Sequence, residues 1–362
     1  MFDLKEVNTG RQFEIDVAKA MAIIFMIVIH TFEQLTDMGN LSLYRVVEFF
    51  GCPPAAGVFM FAMGIGMVYT KHGSPAEFTK RGVKLILIGI VLNFFRETVL
   101  VIAGNILGID NPWQDTPILH TMLLIDILQF AGMAFLITAL FKKLNMKPWI
   151  IAAAAIFMNA IGSLFAGSFG NLPDAVQDIF GTCIFTAVEP AFPAFQWYIY
   201  PALGICFAHL LRHVTDKTAF YKRMLFISSA VMLSVTLGCL TAGVYVIDFF
   251  MTSAYYLQSP LTCFWCLSVV AVCIPMYYFL SLAIRGNGQT AVKYLSAKVN
   301  TIYIIQWLVI TYSIGVLEIL GMNMFPSVWG IPLGLLITAI SILICILYYL
   351  VKARVRGKTA SL

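Results

Sequence analysis

Apolar stretches of about 20 residues, the length a helix needs to cross a bilayer, recur along the whole chain. Hydropathy places ten of them near residues 17–35, 47–70, 82–104, 117–140, 148–166, 195–212, 224–247, 262–284, 294–319 and 329–351. The chain of 362 residues is 60% hydrophobic and 11% charged, with a mean hydropathy of +0.88. A soluble domain carries about 25% charged residues. The pattern predicts an all-α polytopic membrane protein, one transmembrane domain over residues 1–362 with about ten spans. The first sixteen residues are polar, and the first apolar run has charged flanks and no small-residue cleavage site, so no cleaved leader is expected.

Lysine and arginine alternate with acids from one connection to the next. Basic residues sit before span 1 (Lys5, Arg11) and between spans 2 and 3 (Lys71, Lys80, Arg81, Lys84). They recur at Lys142, Lys143 and Lys147, at Arg212, Lys217, Lys222 and Arg223, at Arg285, Lys293 and Lys298, and at Lys352, Arg354, Arg356 and Lys358. The intervening loops carry Asp37, Asp110, Asp115, Asp174, Asp178, Glu189 and Asp248. The positive-inside rule then predicts that both termini are cytoplasmic. It also accounts for the net charge of +5, which is no nucleic-acid signal.

Ionisable side chains at membrane depth are costly and default to a functional reading. Span 1 holds Lys19 and His30, eleven residues apart, close to three whole turns. Both lie on one face, about 16 Å apart along the axis. Glu33 follows His30 at i+3, where it can orient or charge the imidazole. The competing reading makes Lys19 and Arg11 interfacial anchors and His30 a packing residue. Arg96 lies in the outer half of span 3 beside Glu97, and neighbours on a helix point about 100° apart, so Glu97 is not its assured partner. Arg45 has Glu48 at i+3 as a structural pair. Span 4 adds His120 at its outer end and Asp126 deeper, where a carboxylate pairs, hydrogen-bonds or stays protonated. Together His30, Glu33, Arg96, Glu97, His120 and Asp126 predict one polar cavity open to the outside.

The connection from Gly167 to Phe195 is long, aromatic and proline-rich, and reads as a cover over the outer face. Cys263 and Cys266 form one CxxC at the head of a span. With no second pair and no nearby His, they read as small buried apolar groups and no metal site is expected. There is no Gly-rich phosphate loop and no Ser-His-Asp order.

Several stretches taken together resemble the integral-membrane acyltransferase superfamily. That group includes the acyltransferase-three family and the heparan-alpha-glucosaminide N-acetyltransferase family with its bacterial relatives. Span 1 is similar to the family's opening helix through Arg11, Asp16, Lys19 and His30, with Lys19 standing where Arg is usual. The stretch GVFMFAMGIGMVYTK from Gly57 resembles its Phe-rich helix, Met63-Gly64 replacing the common Ser-Gly, and Lys80-Arg81 then opens span 3. IDILQFAGMAFLI from Ile125 and FPAFQWYIYPALGICFAHLL from Phe192 look like helices of the glucosaminide branch. KYLSAKVNTIYIIQW from Lys293 resembles a late family helix through Asn300, Tyr303 and Gln306, with Gln306 where His is frequent.

The resemblance implies an acyltransferase that moves an acyl group, acetyl by expectation, from cytosolic acyl-CoA to a hydroxyl or amine of an extracytoplasmic glycan or other polar acceptor. The donor phosphates would meet Arg11, Lys19, Lys80 and Arg81, with Asp16 and Tyr303 completing the donor set. His30 would act as general base or acyl carrier, Glu33 would hold its tautomer, and Arg96 or a backbone N–H would stabilise the oxyanion. Glu97, His120 and Asp126 complete the catalytic set. A direct ternary reaction and an acyl-histidine intermediate both remain open. The expected partners are acyl-CoA (acetyl-CoA by expectation), the acceptor and the bilayer, the plasma membrane in a bacterial host; a homodimer is compatible with the sequence. Two other classes compete. A secondary transporter or exporter of a polar or acylated metabolite also uses ionisable groups at depth, though no paired halves are visible. A membrane sensor or scaffold would need neither His30 nor a basic route.

Overall fold

The computed structural model describes residues 1–108, 118–168, 170–184, 191–251 and 254–355. Every regular element among them is a helix. In order these are α1 (Phe13–Leu35), α2 (Leu41–Gly51), a π-helical turn (Cys52–Gly57), α3 (Val58–Tyr69), α4 (Pro75–Asn93), a second π turn (Phe94–Thr98), α5 (Val99–Leu107), α6 (Ile118–Leu123), α7 (Ile127–Lys143) and α8 (Pro148–Leu164). There follow α9 (Asp174–Gly181), α10 (Ala194–Trp197), α11 (Ile199–Arg212), α12 (Lys217–Thr241), α13 (Asp248–Met251) and α14 (Ala254–Leu257). The long helices α15 (Pro260–Ala283), α16 (Asn287–Ile319) and α17 (Gly330–Val355) complete the chain. Of the charged loop residues noted above, Asp110, Asp115, Glu189, Arg356 and Lys358 lie outside the described residues.

Eight helical stretches among the described residues are long and apolar enough to cross a bilayer: Phe13–Leu35, Leu41–Tyr69, Pro75–Ile106, Ala194–Arg212, Lys217–Thr241, Pro260–Ala283, Asn287–Ile319 and Ser327–Val355. The chain is a multi-pass membrane protein. The other two expected spans fall on shorter helices, α8 and the α6–α7 pair.

The span expected over 117–140 is not one helix. It breaks between Leu123 and Ile127. Asp126 caps α7: its Oδ1 accepts from the Ile127 N–H at 2.6 Å, and Gln129 Oε1 accepts from the Asp126 N–H at 3.3 Å. This is a capping box. The carbonyls freed by the break are also satisfied. Asn93 donates to Met122 and Leu124 (3.1 and 2.7 Å), and Gln129 donates to Leu124 (3.0 Å). A helix break inside a membrane persists only where the freed backbone groups find such partners. The π turn at Cys52–Gly57 has a similar local cause. Pro53 and Pro54 supply no N–H, so the regular ladder cannot continue through them.

Helix α1 is the hub, packed against α2, α3, α15, α16 and α17. Of its most apolar window 67% is buried, against 11% for α12, which lies on the outside facing lipid. Phe325 N–H donates to Leu35 O at 3.0 Å and Asp37 N–H to Phe325 O at 2.9 Å, which ties the end of α1 to the segment before α17. At the other end of the bundle Arg11 Nη2 donates to Lys293 O at 3.2 Å, and the Lys298 ammonium sits 3.6 Å over the Tyr349 ring. The start of α1 and the end of α17 therefore share one end of the bundle, called here the terminal end.

Helices α3 and α11 meet through glycine. A Cβ at Gly64 would lie 2.0 Å from the Pro201 carbonyl oxygen, and one at Gly204 would lie 2.1 Å from the Phe61 carbonyl oxygen. Close backbone approach of this kind is how small residues join helices in lipid. Gly64→Ala is expected to destabilise the protein by about 1–3 kcal/mol, because backbone cannot move aside as a side chain does. Gly238→Ala on α12, with nothing within 4 Å of its Cβ position, serves as the neutral control. Thermal unfolding in detergent reads both, and equal midpoints would refute the packing argument.

Candidate active site

Four cavities run in series from the terminal end, and each shares lining residues with the next. The first, about 380 Å³, is lined by Arg11, Asp16, Lys19, Thr70 and Lys71. The second, about 200 Å³, shares Lys19, Gly66 and Thr70 with it and adds Arg81 and an apolar wall of Ile23, Met63, Leu85 and Phe135. A small third pocket of about 40 Å³ shares Met26, Ile127 and Tyr303 with the second, and holds His30, Glu33, Glu48 and Asp126. The fourth, about 300 Å³, shares His30, Glu33, Asp126, Phe192 and Tyr256 with the third and adds Arg96, His120, Asp178 and Trp307. The same-face placement of Lys19 and His30 on α1 thus puts one residue in the first two cavities and the other in the last two.

The break before α7 builds the centre of this site. Asp126 Oδ2 accepts from Tyr303 Oη at 2.5 Å and from Arg96 Nη1 at 2.8 Å. Arg96 comes from the second π turn, is buried, and also ion-pairs through Nε with Glu97 Oε1 at 2.9 Å. Its guanidinium lies 4.3 Å over the Trp307 ring. The other ring on Trp307 is His30, stacked at 4.2 Å between centroids and 27° between planes. Gln306 Nε2 lies 3.3 Å from His30 Nδ1. Among the described residues nothing hydrogen-bonds the other ring nitrogen, and the ring lines the third and fourth cavities. Tyr303, Gln306 and Trp307 follow one another at i, i+3 and i+4 on α16, so one helix face supplies all three contacts.

The fourth cavity, away from the terminal end, is lined in part by side chains from the long 167–195 connection. His120 Nδ1 lies 2.9 and 3.0 Å from the two Asp178 carboxylate oxygens, which joins α6 to α9. Ala191 and Phe192 line the same cavity.

The sequence-predicted residues sort as follows. His30, Glu33, Arg96, His120, Asp126 and Tyr303 converge on the third and fourth cavities, and Glu97 stands behind Arg96. Arg11, Asp16, Lys19 and Arg81 line the first two. Asp16 has a bracing role in addition: it accepts from Arg11 at 2.6 and 3.0 Å and from Ser296 Oγ at 2.6 Å, which pins α1 to α16. Lys80 is exposed and lines none of the four cavities. Glu33 does not hold the imidazole, since Gln306 occupies Nδ1. Its carboxyl instead faces Glu48 of α2. The expected Arg45–Glu48 pair is not formed: Arg45 is exposed, while Glu48 is buried, with its Oε1 3.4 Å from Cys52 Sγ. Cys263 and Cys266 are buried free thiols. Sequence reasoning underrated Glu48, Trp307, Tyr255 and Tyr256. For Trp307 the signal was present, one helical turn past Tyr303; Tyr255 and Tyr256 lie in the four-residue helix α14, too short to show such a periodicity.

The family model described as heparan-alpha-glucosaminide N-acetyltransferase, catalytic, matches residues 11–250. Lys19, His30, Glu33, Arg96, His120 and Asp126 fall inside the match; Tyr303, Gln306 and Trp307 fall beyond it. No curated protein and no solved structure matches the chain.

Proposed function

Because the chain belongs to the heparan-alpha-glucosaminide N-acetyltransferase catalytic family, a family of membrane N-acetyltransferases, we propose that it moves an acetyl group from acetyl-CoA to an amine or hydroxyl of a glycan or other polar acceptor. The donor enters at the terminal end, which the basic loops assign to the cytoplasm, and the acceptor enters from the opposite end. The observation that carries this reading is the series of four cavities with a basic first pair and His30 at the join of the last two.

In this reading the donor phosphates rest among Arg11, Lys19, Lys71 and Arg81. The pantetheine arm follows the apolar wall of the second cavity, and the thioester arrives past Tyr303. Gln306 turned to accept from His30 Nδ1–H leaves the lone pair on Nε2, toward the cavity. With the amide so turned, Oε1, which has no partner otherwise, meets the imidazole N–H. His30 Nε2 then takes the acceptor proton as the acceptor attacks the thioester carbonyl, and returns it to the departing thiolate. Arg96, fixed by Asp126 and the Trp307 ring, offers its remaining N–H groups to the oxyanion.

The test is transfer of label from radiolabelled acetyl-CoA to an amino sugar by the purified protein in detergent. Labelled product is the expected result. A wild type that binds neither acetyl-CoA nor longer acyl-CoAs would sink the reading and put transport first. Within it, Lys19→Gln is expected to raise the KM for acetyl-CoA about tenfold with kcat little changed, the loss of one charge-assisted contact to phosphate. An unchanged KM would remove Lys19 from the donor site.

A further inference from the structure

The third pocket holds two carboxylates that the mechanism above leaves unused. Glu33 of α1 and Glu48 of α2 face each other there. Neither makes an ion pair with a Lys, Arg or His among the described residues. Glu48 is 9% exposed, and its Oε2 is buried with no hydrogen-bond partner. Independently of the acids, Tyr255 lines the same pocket at 3% exposure, and its Oη is buried and also without a partner. Buried charges are normally paired, and buried hydroxyls are normally hydrogen-bonded. Among the described residues the acids have each other, Tyr44 and Cys52 as neighbours but no cation, and Glu48 Oε2 and Tyr255 Oη are left open to a small cationic donor.

We infer that this pocket receives the protonated amine of the acceptor, and that the Glu33–Glu48 pair takes its first proton. The inference rests on the acetyl-transfer reading and deepens it by naming the residues that select a nitrogen acceptor. At about 40 Å³ the pocket has room for about three water-sized groups. It admits an ammonium and not a sugar ring, which stays in the adjoining fourth cavity of about 300 Å³. Besides the pair itself, the groups facing it are Tyr44 on α2, Cys52 on the π turn, His30, Asp126, Tyr255 and Tyr256.

Proton counting favours nitrogen. A hydroxyl acceptor loses one proton on acylation, and His30 alone accounts for it. An amine that arrives as R–NH3⁺ has no lone pair and must lose two. In the first step an N–H bond breaks and its proton passes to a Glu carboxylate, leaving R–NH2. The nitrogen lone pair then forms the C–N bond at the thioester carbonyl. As the tetrahedral intermediate collapses the C–S bond breaks, and the second N–H proton travels through His30 Nε2 to the thiolate. The sum is R–NH3⁺ plus acetyl-S-CoA giving the acetamide, CoA-SH and one H⁺, which leaves from the Glu pair by way of the fourth cavity. The site thus offers two proton acceptors to a substrate that needs two.

The experiment compares wild type, Glu48→Gln and Glu33→Gln with a methyl glycoside of a primary amino sugar as acceptor. Each variant is expected to lose about 10²-fold in kcat/KM for the amine at pH 6.5, with the KM for acetyl-CoA unchanged. The deficit should shrink as pH rises toward the amine's own pKa, about 8 for an α-amino-like group, because solution then supplies R–NH2 directly. That recovery is a readout a packing defect would not produce. A pH profile parallel to wild type overturns the inference. Calorimetric binding of the same amine without acetyl-CoA reads the pocket apart from chemistry. Binding lost in both variants supports the inference even in a protein that transfers no acetyl group, and binding equal to wild type overturns it.

Discussion

His30→Ala is expected to lower kcat for acetyl transfer by about 10²–10⁴-fold, the usual contribution of a positioned general base, while acetyl-CoA binding persists. The two readouts separate because the site is divided along α1. The two cavities proposed for the donor are lined by Lys19 and Arg81, and His30 lines neither of them. Loss of the imidazole also removes the ring stacked at 4.2 Å on Trp307, so a modest stability cost is expected alongside. His30→Gln, which keeps more of the volume, should be as inactive as alanine if proton transfer or acyl carriage is the role. Radiolabelled acetyl-CoA binding and product formation, measured on the same preparation, check both halves. A His30→Ala protein that transfers acetyl at the wild-type rate would return His30 to a packing role. Trapped label on wild-type protein that is absent from the variant would favour the acyl-histidine route over the ternary one.

The parts of the molecule that were legible in the sequence are those governed by one helix at a time. Hydropathy and helical periodicity place Lys19 and His30 on one face of α1, and the cavities open along that face. Contacts between helices were not legible. Glu33 at i+3 from His30 looked like its partner, yet α2 presents Glu48 to it and α16 presents Gln306 to the imidazole. No spacing within one helix encodes either approach. The break before α7 is an intermediate case. A hydropathy window averages over Asp126 and returns a continuous span, although Asp126 and Gln129 stand at the spacing of a capping box. That local signal was masked by the apolar residues around it. The same averaging hides the first π turn, where Pro53 and Pro54 lie inside an otherwise uniform stretch. The resemblance pointed to Met63-Gly64 as a variant of a family pair, but only the approach of Pro201 to Gly64 shows why glycine is required there.

Arg96→Ala is expected to cost about 3–5 kcal/mol of stability as well as activity, the penalty for leaving a buried charge without its partner. Arg96 meets two acids at once, Asp126 at 2.8 Å and Glu97 at 2.9 Å, at 6% exposure inside the bundle. Without the guanidinium both acids lose their counter-charge, and Tyr303 still donates to Asp126 and draws it inward. Arg96→Met with Asp126→Asn removes one charge from each side and keeps approximate shape. The asparagine Oδ1 can still accept from the Ile127 N–H that starts α7, while its Nδ2–H, standing where Asp126 Oδ2 accepts from Tyr303, donates to the Tyr303 hydroxyl oxygen instead. Replacing a buried pair by neutral groups of similar size is often close to neutral, and the one acid left without its partner is Glu97, at 19% exposure, so this double variant should regain part of the lost thermal stability while transfer stays low. The coupling between the two positions, measured as a double-mutant cycle, isolates the ion pair from the packing of Arg96 on Trp307. A single Arg96→Ala variant that unfolds at the wild-type temperature would show that neither acid depends on it, and the electrostatic centre of the site would have to be sought elsewhere.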